Sequence, residues 1–258
     1  AMAHSVQGII ERRTGNYVSS IENYMQSKVL YEELNDSINI SSLLHNVGMV
    51  HRYLKEYRKS ISYYKEAIEL KNYMPNQSYE IACSYNMMGV SYKKIKKRDS
   101  ALWCYEKAIQ LFTKIGKEED VYRVKANMGV LFSDQKKYDQ AMVLYKEGLW
   151  YNKKNNNIIS LANSYYNLST LYKRLKKYEL SMIYVDSSIV IATKEGLKER
   201  RSLGLLRKSF LYKKSGNYEQ AYEFYRKFNR ASDSIHNIDN IKKIQELELN
   251  YVFKQEKL

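Results

Sequence analysis

Proline is nearly missing from this chain: a single residue in 258, alongside only ten glycines. Proline breaks helix interiors, so its scarcity argues for nearly continuous helix. Cysteine is just as sparse. Cys83 and Cys104 form no CxxC pair, which leaves no thiol metal or redox motif and says little about redox compartment. No apolar run approaches the ~20 residues that cross a bilayer, and no signal-peptide pattern opens the chain. The histidines, His4, His45, His51 and His236, lack metal-ligand spacing with carboxylates or thiols. No glycine-rich phosphate loop is present, so neither an enzyme, a metal centre nor a cofactor is expected.

What is abundant is positive charge and tyrosine. The formal net charge is +15, a field that favours acidic partners, nucleic acid or anionic lipid. A low-GC genome rich in Lys, Asn, Ile and Tyr would give the same balance, and both readings stay open. The opening Ala1-Met2-Ala3 fits a cloning remnant, and the chain starts inside a repeat, so an excised domain is expected.

The sequence repeats at a period of 40. Gly8, Gly48, Gly89, Gly129, Ser169 and Ser209 align at steps of 40 or 41 residues. Tyrosine follows at Tyr17, Tyr57, Tyr138, Tyr178 and Tyr218, then a small residue at Ser20, Ser60, Ala101, Ala141, Ser181 and Ala221. Tyr24, Tyr64, Tyr105, Tyr145 and Tyr225 recur four residues later. Six copies are expected, near 1–40, 41–81, 82–121, 122–161, 162–201 and 202–231. A fixed period in this range marks stacked repeats, which bind and seldom catalyse.

One copy shows the design. Leu44, Val47, Gly48 and His51 share a helical face, Leu54-Lys55-Glu56 turns, and Tyr57, Ser60, Ile61, Tyr64, Ala67 and Ile68 share a second. Two antiparallel helices follow, with the small residues where their axes approach. The tyrosines fill the remaining space, their hydroxyls expected at a wet edge, and His51 is expected to pack as a ring.

This pattern resembles the tetratricopeptide repeat family, on Gly89, Tyr92, Ala101, Tyr105 and Ala108 and again on Gly129, Phe132, Ala141, Tyr145 and Gly148. The resemblance covers residues 1 to about 230. It lacks the usual closing proline and matches the long-helix subgroup of kinesin light chains and bacterial peptide-sensing regulators. Glu11, Val185 and Phe228 depart from the signature. The implied fold is all-α, a superhelical solenoid of about six hairpins plus a C-terminal capping helix.

In that family the first helix of each hairpin lines the ligand face. Asn46, Asn127 and Asn167 stand two residues before the small position, Asn86 is shifted by one, and Arg207 takes the place in the last copy. An amide donates and accepts at once, suiting a peptide backbone, and the resemblance implies that contact. The alternative is that these amides only satisfy neighbouring helices. Further along lie Arg52, Lys93, Lys94, Lys173, Arg174, Lys213 and Lys214, which favour a ligand with carboxylates. The family's chaperone-tail clamp is not matched, since its first lysine position holds His45, Asn86, Ala126 and Tyr166.

Lys96-Lys97, Lys136-Lys137 and Lys176-Lys177 mark the turns. Without aromatic stacking among them, a solvated edge is expected rather than a nucleic-acid site. Beyond Ser232-Asp233-Ser234, apolar Ile235, Ile238, Ile241, Ile244 and Leu247 suggest a capping or linker helix over 232–258, or a short dimerisation segment. This stretch resembles the junction after the repeats of bacterial membrane-anchored sensors, where a membrane segment and a histidine kinase or LuxR-type module follow. The resemblance implies the periplasmic side of an inner membrane, with anchoring through a segment outside this chain; a cytoplasmic site stays open. The function expected is protein or peptide binding, as a bacterial sensor or regulator domain. The alternatives are a non-sensory scaffold or homodimerisation module and, more remotely, nucleic-acid binding at the lysine edge.

Overall fold

The computed structural model describes residues 1–72 and 76–233, and within them every regular element is an α-helix. In chain order these are α1 (Met2–Thr14), α2 (Tyr17–Glu33), α3 (Ser37–Tyr53), α4 (Tyr57–Asn72), α5 (Ser78–Lys94) and α6 (Arg98–Lys114). Then follow α7 (Glu118–Asp134), α8 (Tyr138–Lys154), α9 (Ile158–Arg174), α10 (Tyr178–Lys194), α11 (Lys198–Lys214) and α12 (Tyr218–Asp233). The capping helix expected over 232–258 lies outside the described residues, apart from 232 and 233 at the end of α12. The chain divides into two compact units: α1–α6 within Ala1–Ile115, and α7–α12 from Gly116 onward. In each, consecutive helices pair as hairpins, and the second helix of one hairpin packs on the first of the next.

The recurring helix length is 17 residues, about 25 Å of rise. Three-residue turns such as 135–137 close the period of 40. Their geometry explains the lysine pairs. Lys96, Lys136 and Lys176 sit in the left-handed region at φ 62°, 62° and 59°. The following amides, of Lys97, Lys137 and Lys177, reach back to the carbonyls of Tyr92, Phe132 and Tyr172 at 3.0, 2.9 and 2.9 Å. Those bonds cap carbonyls that the helix ends leave open. Each lysine pair is therefore part of a helix stop, and its side chains are exposed.

Within each hairpin the seam is a small residue under a ring. A Cβ on Gly8, Gly48, Gly89 or Gly129 would fall 2.6–2.9 Å from Cε1 of Tyr24, Tyr64, Tyr105 or Tyr145. In the fifth hairpin the first helix carries Ser169, which has a Cβ, and the ring is replaced by Val185, fully buried. The sixth pairs Ser209 with Tyr225, and there the tyrosine is 47% exposed. The departure at Val185 is thus compensated locally. Buried hydroxyls on the same seam are satisfied across it: Ser20 donates to the Gly8 carbonyl at 2.8 Å, and Ser181 to that of Ser169 at 2.8 Å.

One expectation changes here and another holds. The tyrosine hydroxyls do not stay at a wet edge. The glycine lets each ring lie so close that Tyr24 and Tyr64 are fully enclosed, and the Tyr24 hydroxyl finds no hydrogen-bond partner. Burial pushes the Tyr64 hydroxyl up to about 12, against the pull of Arg52. His51 does pack as a ring, stacked on Tyr63 at 5.0 Å with Nδ1 2.7 Å from Glu56 Oε2.

Candidate functional site

Helical spacing decides which side chains of a first helix share a face. Lining one hollow are Glu119, Tyr122, Arg123, Ala126, Asn127 and Val130 of α7 and Ser160, Asn163, Ser164 and Asn167 of α9, while Tyr122 also stacks on Tyr151 of its own hairpin at 4.2 Å. Together with Gly148 and Asn152 of α8 and Arg200 of α11, they line a hollow of ≈190 Å³. The sequence-derived Asn127 and Asn167 meet here. Asn163 and Arg200 were not singled out from the sequence, though Asn163 lies one turn before Asn167 on the same face.

Positive charge gathers beside these amides. The Tyr166 ring lies 4.5 Å from the Arg200 guanidinium carbon and 5.4 Å from that of Arg207. Arg207 also donates to the Tyr166 hydroxyl at 3.4 Å and to Thr170 Oγ1 at 3.2 Å. Arg174 is drawn to Asp134 and donates to Ser133 Oγ at 3.0 Å. The Lys173 ammonium stands 4.8 Å from the Phe210 ring centre. Burial, then the charges of Arg207 and Arg174, hold that ammonium below its ordinary range. Burial likewise lowers Arg200, opposed by Tyr166 and Glu199, yet a guanidinium stays charged at neutral pH. Buried Nε of Arg200 and Nη1 of Arg207 have no hydrogen-bond partner. Four cations thus share one wall, and an anion is the ligand charge that this wall favours.

The unit of α1–α6 treats its expected residues differently. Asn46 is half-buried on α3, and Arg52 lies 4.5 Å from the ring centre of Tyr53. Lys93 is half-buried and Lys94 exposed on α5, while Lys213 and Lys214 are exposed on α11 of the second unit. Asn86 is fully buried. Its shift of one residue turns it by about 100° around the axis, out of the wall and into the packing. One group that the sequence left unremarked is buried here, Lys71, 2% exposed, and near it on α3 the half-buried His45 places Nδ1 2.8 Å from Ser84 Oγ. Burial and the charges of Lys71, Arg12 and Arg52 push the His45 imidazole down to about 3.

Among the described residues no group of His, Cys, Asp and Glu could hold a metal ion, and no helix is long and apolar enough to cross a membrane.

Two family models match the chain, both described as tetratricopeptide repeat: one over residues 1–72, the other over 84–114, 162–189 and 204–233. Together they cover more than half of its length. Among curated proteins, photosystem I assembly protein Ycf3 of Rippkaea orientalis is 26% identical over 110 residues, 43% of this chain and 62% of that protein. The chain spans about three fifths of the length of the curated relatives it matches. Among solved structures, a Rap protein complexed with Competence and Sporulation Factor superposes with a TM-score of 0.70 at 15% identity, over 90% of this chain and 74% of that one. A Pyrococcus horikoshii signal-transduction ATPase with a tetratricopeptide repeat sensor gives 0.66 at 18% identity, over 99% of this chain and 42% of that one. At these identities the likeness to the solved structures is one of fold.

Proposed function

The chain belongs to the tetratricopeptide repeat family, and from that premise we propose that the wall formed by α7, α9 and α11 holds an extended, acidic peptide or protein segment. The observation that carries this reading is the convergence of Asn127, Asn163 and Asn167 with Arg200 and Arg207 inside one compact unit. The amides suit a peptide backbone in either direction, and the guanidiniums attract carboxylates. Occupancy of such a wall is the input of a sensor, and the module serves a bacterial signal-transduction or regulatory protein. A Rap protein of this fold is solved with Competence and Sporulation Factor bound, and an ATPase of this fold uses its repeats as a sensor, which supports the reading.

The test is selection of phage-displayed random dodecapeptides on the purified chain, followed by calorimetry. Peptides enriched in Asp and Glu are expected. Asn127→Ala with Asn167→Ala should weaken them at least ~tenfold, as loss of two hydrogen bonds near a charged site would. No enrichment at all sinks the proposal.

A second reading, a scaffold for a folded partner, is favoured by one feature of the same unit. Val143 and Trp150 on α8 and Ile183 and Val190 on α10 are 56–68% exposed. Apolar groups concentrated in this way mark protein contacts. Light scattering on the chain and on a Trp150→Lys, Ile183→Lys variant separates self-association through this face from a monomeric module.

A further inference from the structure

The hollow between α7, α8 and α9 comes from one hairpin's departure from its siblings. At the position of Gly148 the other second helices carry Ser27, Ala67, Ala108, Ser188 and Phe228. Ser188 fills its place and donates to the Ala162 carbonyl at 2.8 Å. Gly148 is buried, yet a Cβ placed there would meet nothing within 4 Å. One turn on, Asn152 stands where the third hairpin packs Phe112, and it donates to Ser164 Oγ at 2.9 Å. Glycine in mid-helix is disfavoured, and neither contact nor backbone geometry calls for it here. What it supplies is room, next to a floor that has been made polar.

We propose that this notch is a side-chain pocket for the carboxylate of an aspartate or glutamate. It rests on the peptide-binding reading of the wall and deepens it, by naming the residue class that one subsite selects. The space of ≈190 Å³ accommodates a short polar side chain. Asn127, Asn163 and Asn167 bring amide donors, and Arg200 brings a cation whose buried Nε has no hydrogen-bond partner. A carboxylate offers acceptors to all of them and turns the arginine contact into a charge-assisted one. Glu119, the acid on the lining, accepts from Ser160 Oγ at 3.3 Å. An apolar side chain would leave the Arg200 Nε without an acceptor, and a cationic one would face Arg200.

The probe is N-acetyl-aspartate N-methylamide, with its asparagine and lysine counterparts, titrated into the isotope-labelled full chain and followed by amide chemical shifts. Expected are saturable shifts centred on Gly148, Asn152 and Asn163, with a dissociation constant on the order of 1 mM for so small a ligand. The asparagine probe should bind ~tenfold more weakly and the lysine probe not at all. Gly148→Leu fills the notch and should abolish the shifts. Gly148→Ala, a mild change in a helix, should weaken them, and Arg200→Gln should erase the preference for aspartate over asparagine. Equal binding of the three probes, or shifts that all three variants leave unchanged, would show a water-filled seam and overturn the pocket. The two readings separate cleanly. A silent aspartate probe, alongside selected peptides without a preferred acidic position, removes the pocket and leaves the wall. A bound aspartate probe with no selected peptide keeps the carboxylate site and removes the peptide groove.

Discussion

Gly129 lies under Tyr145 so closely that a Cβ on the glycine would be 2.6 Å from Cε1 of the ring, and this contact ties α7 to α8. The same hairpin function is served by Ser169 with Val185, where the Cβ is present and the ring is not. The two positions are therefore one steric unit: in the sixth hairpin, where Ser209 keeps its Cβ and Tyr225 its ring, the ring is 47% exposed.

Replacing Gly129 by Ala overfills that seam and should destabilise the chain by about 1–3 kcal/mol, a fall in Tm of several degrees. Combining Gly129→Ala with Tyr145→Val recreates the fifth hairpin's pairing, and thermal unfolding should show recovery of part of the loss. A double variant as unstable as the sum of its singles would refute the coupling.

The left-handed turn at Lys136, φ 62°, strains a residue with a Cβ. Glycine removes that strain but gains freedom in the unfolded chain, so Lys136→Gly should stabilise by only about 0.5 kcal/mol. Lys137→Gly, next to it but not in the left-handed region, should give no such gain in calorimetric Tm.

His45 is neutral in the folded chain well below its ordinary range, its imidazole held down to about 3 against 6.5 when free. Between those values the unfolded chain binds the proton and the folded one does not. Stability from this residue is therefore complete above pH ~6.5 and declines as pH falls toward 3, by about 2 kcal/mol at pH 5. Urea unfolding across pH 4–8 should show that slope, and His45→Gln, which can still face Ser84, should flatten it.

The wall carries Lys173, Arg174, Arg200 and Arg207 with Asp134 drawn to Arg174 alone. Binding of an acidic peptide should weaken several-fold from 50 to 300 mM salt, since screening shortens with ionic strength. Arg207→Met should lower both the affinity and its salt dependence. A salt-independent affinity would place the ligand elsewhere.

Much of this molecule was legible from periodicity. The step of 40 residues fixed which residues share a seam, and the glycine–tyrosine pairs met where the spacing placed them. The departure at Val185 became intelligible only with its partner Ser169 in view, since a sequence position does not show what stands opposite. The same holds for the lysine turns: their composition suggests solvent, and only the φ values reveal the helix stop.

For the candidate site the division is sharper. Repeat register put Asn127 and Asn167 at equivalent positions, two residues before the small residue of their copies, and the family resemblance assigned that position to the ligand face. It could not exclude Asn86, whose displacement by one residue turns it into the core, nor include Arg200, which reaches the hollow from a different helix. It also read Gly148 as one more small seam residue, when the space beside it is open. A period records how each helix is turned. Which side chains from separate helices converge, and where a gap is left between them, is set by packing in three dimensions.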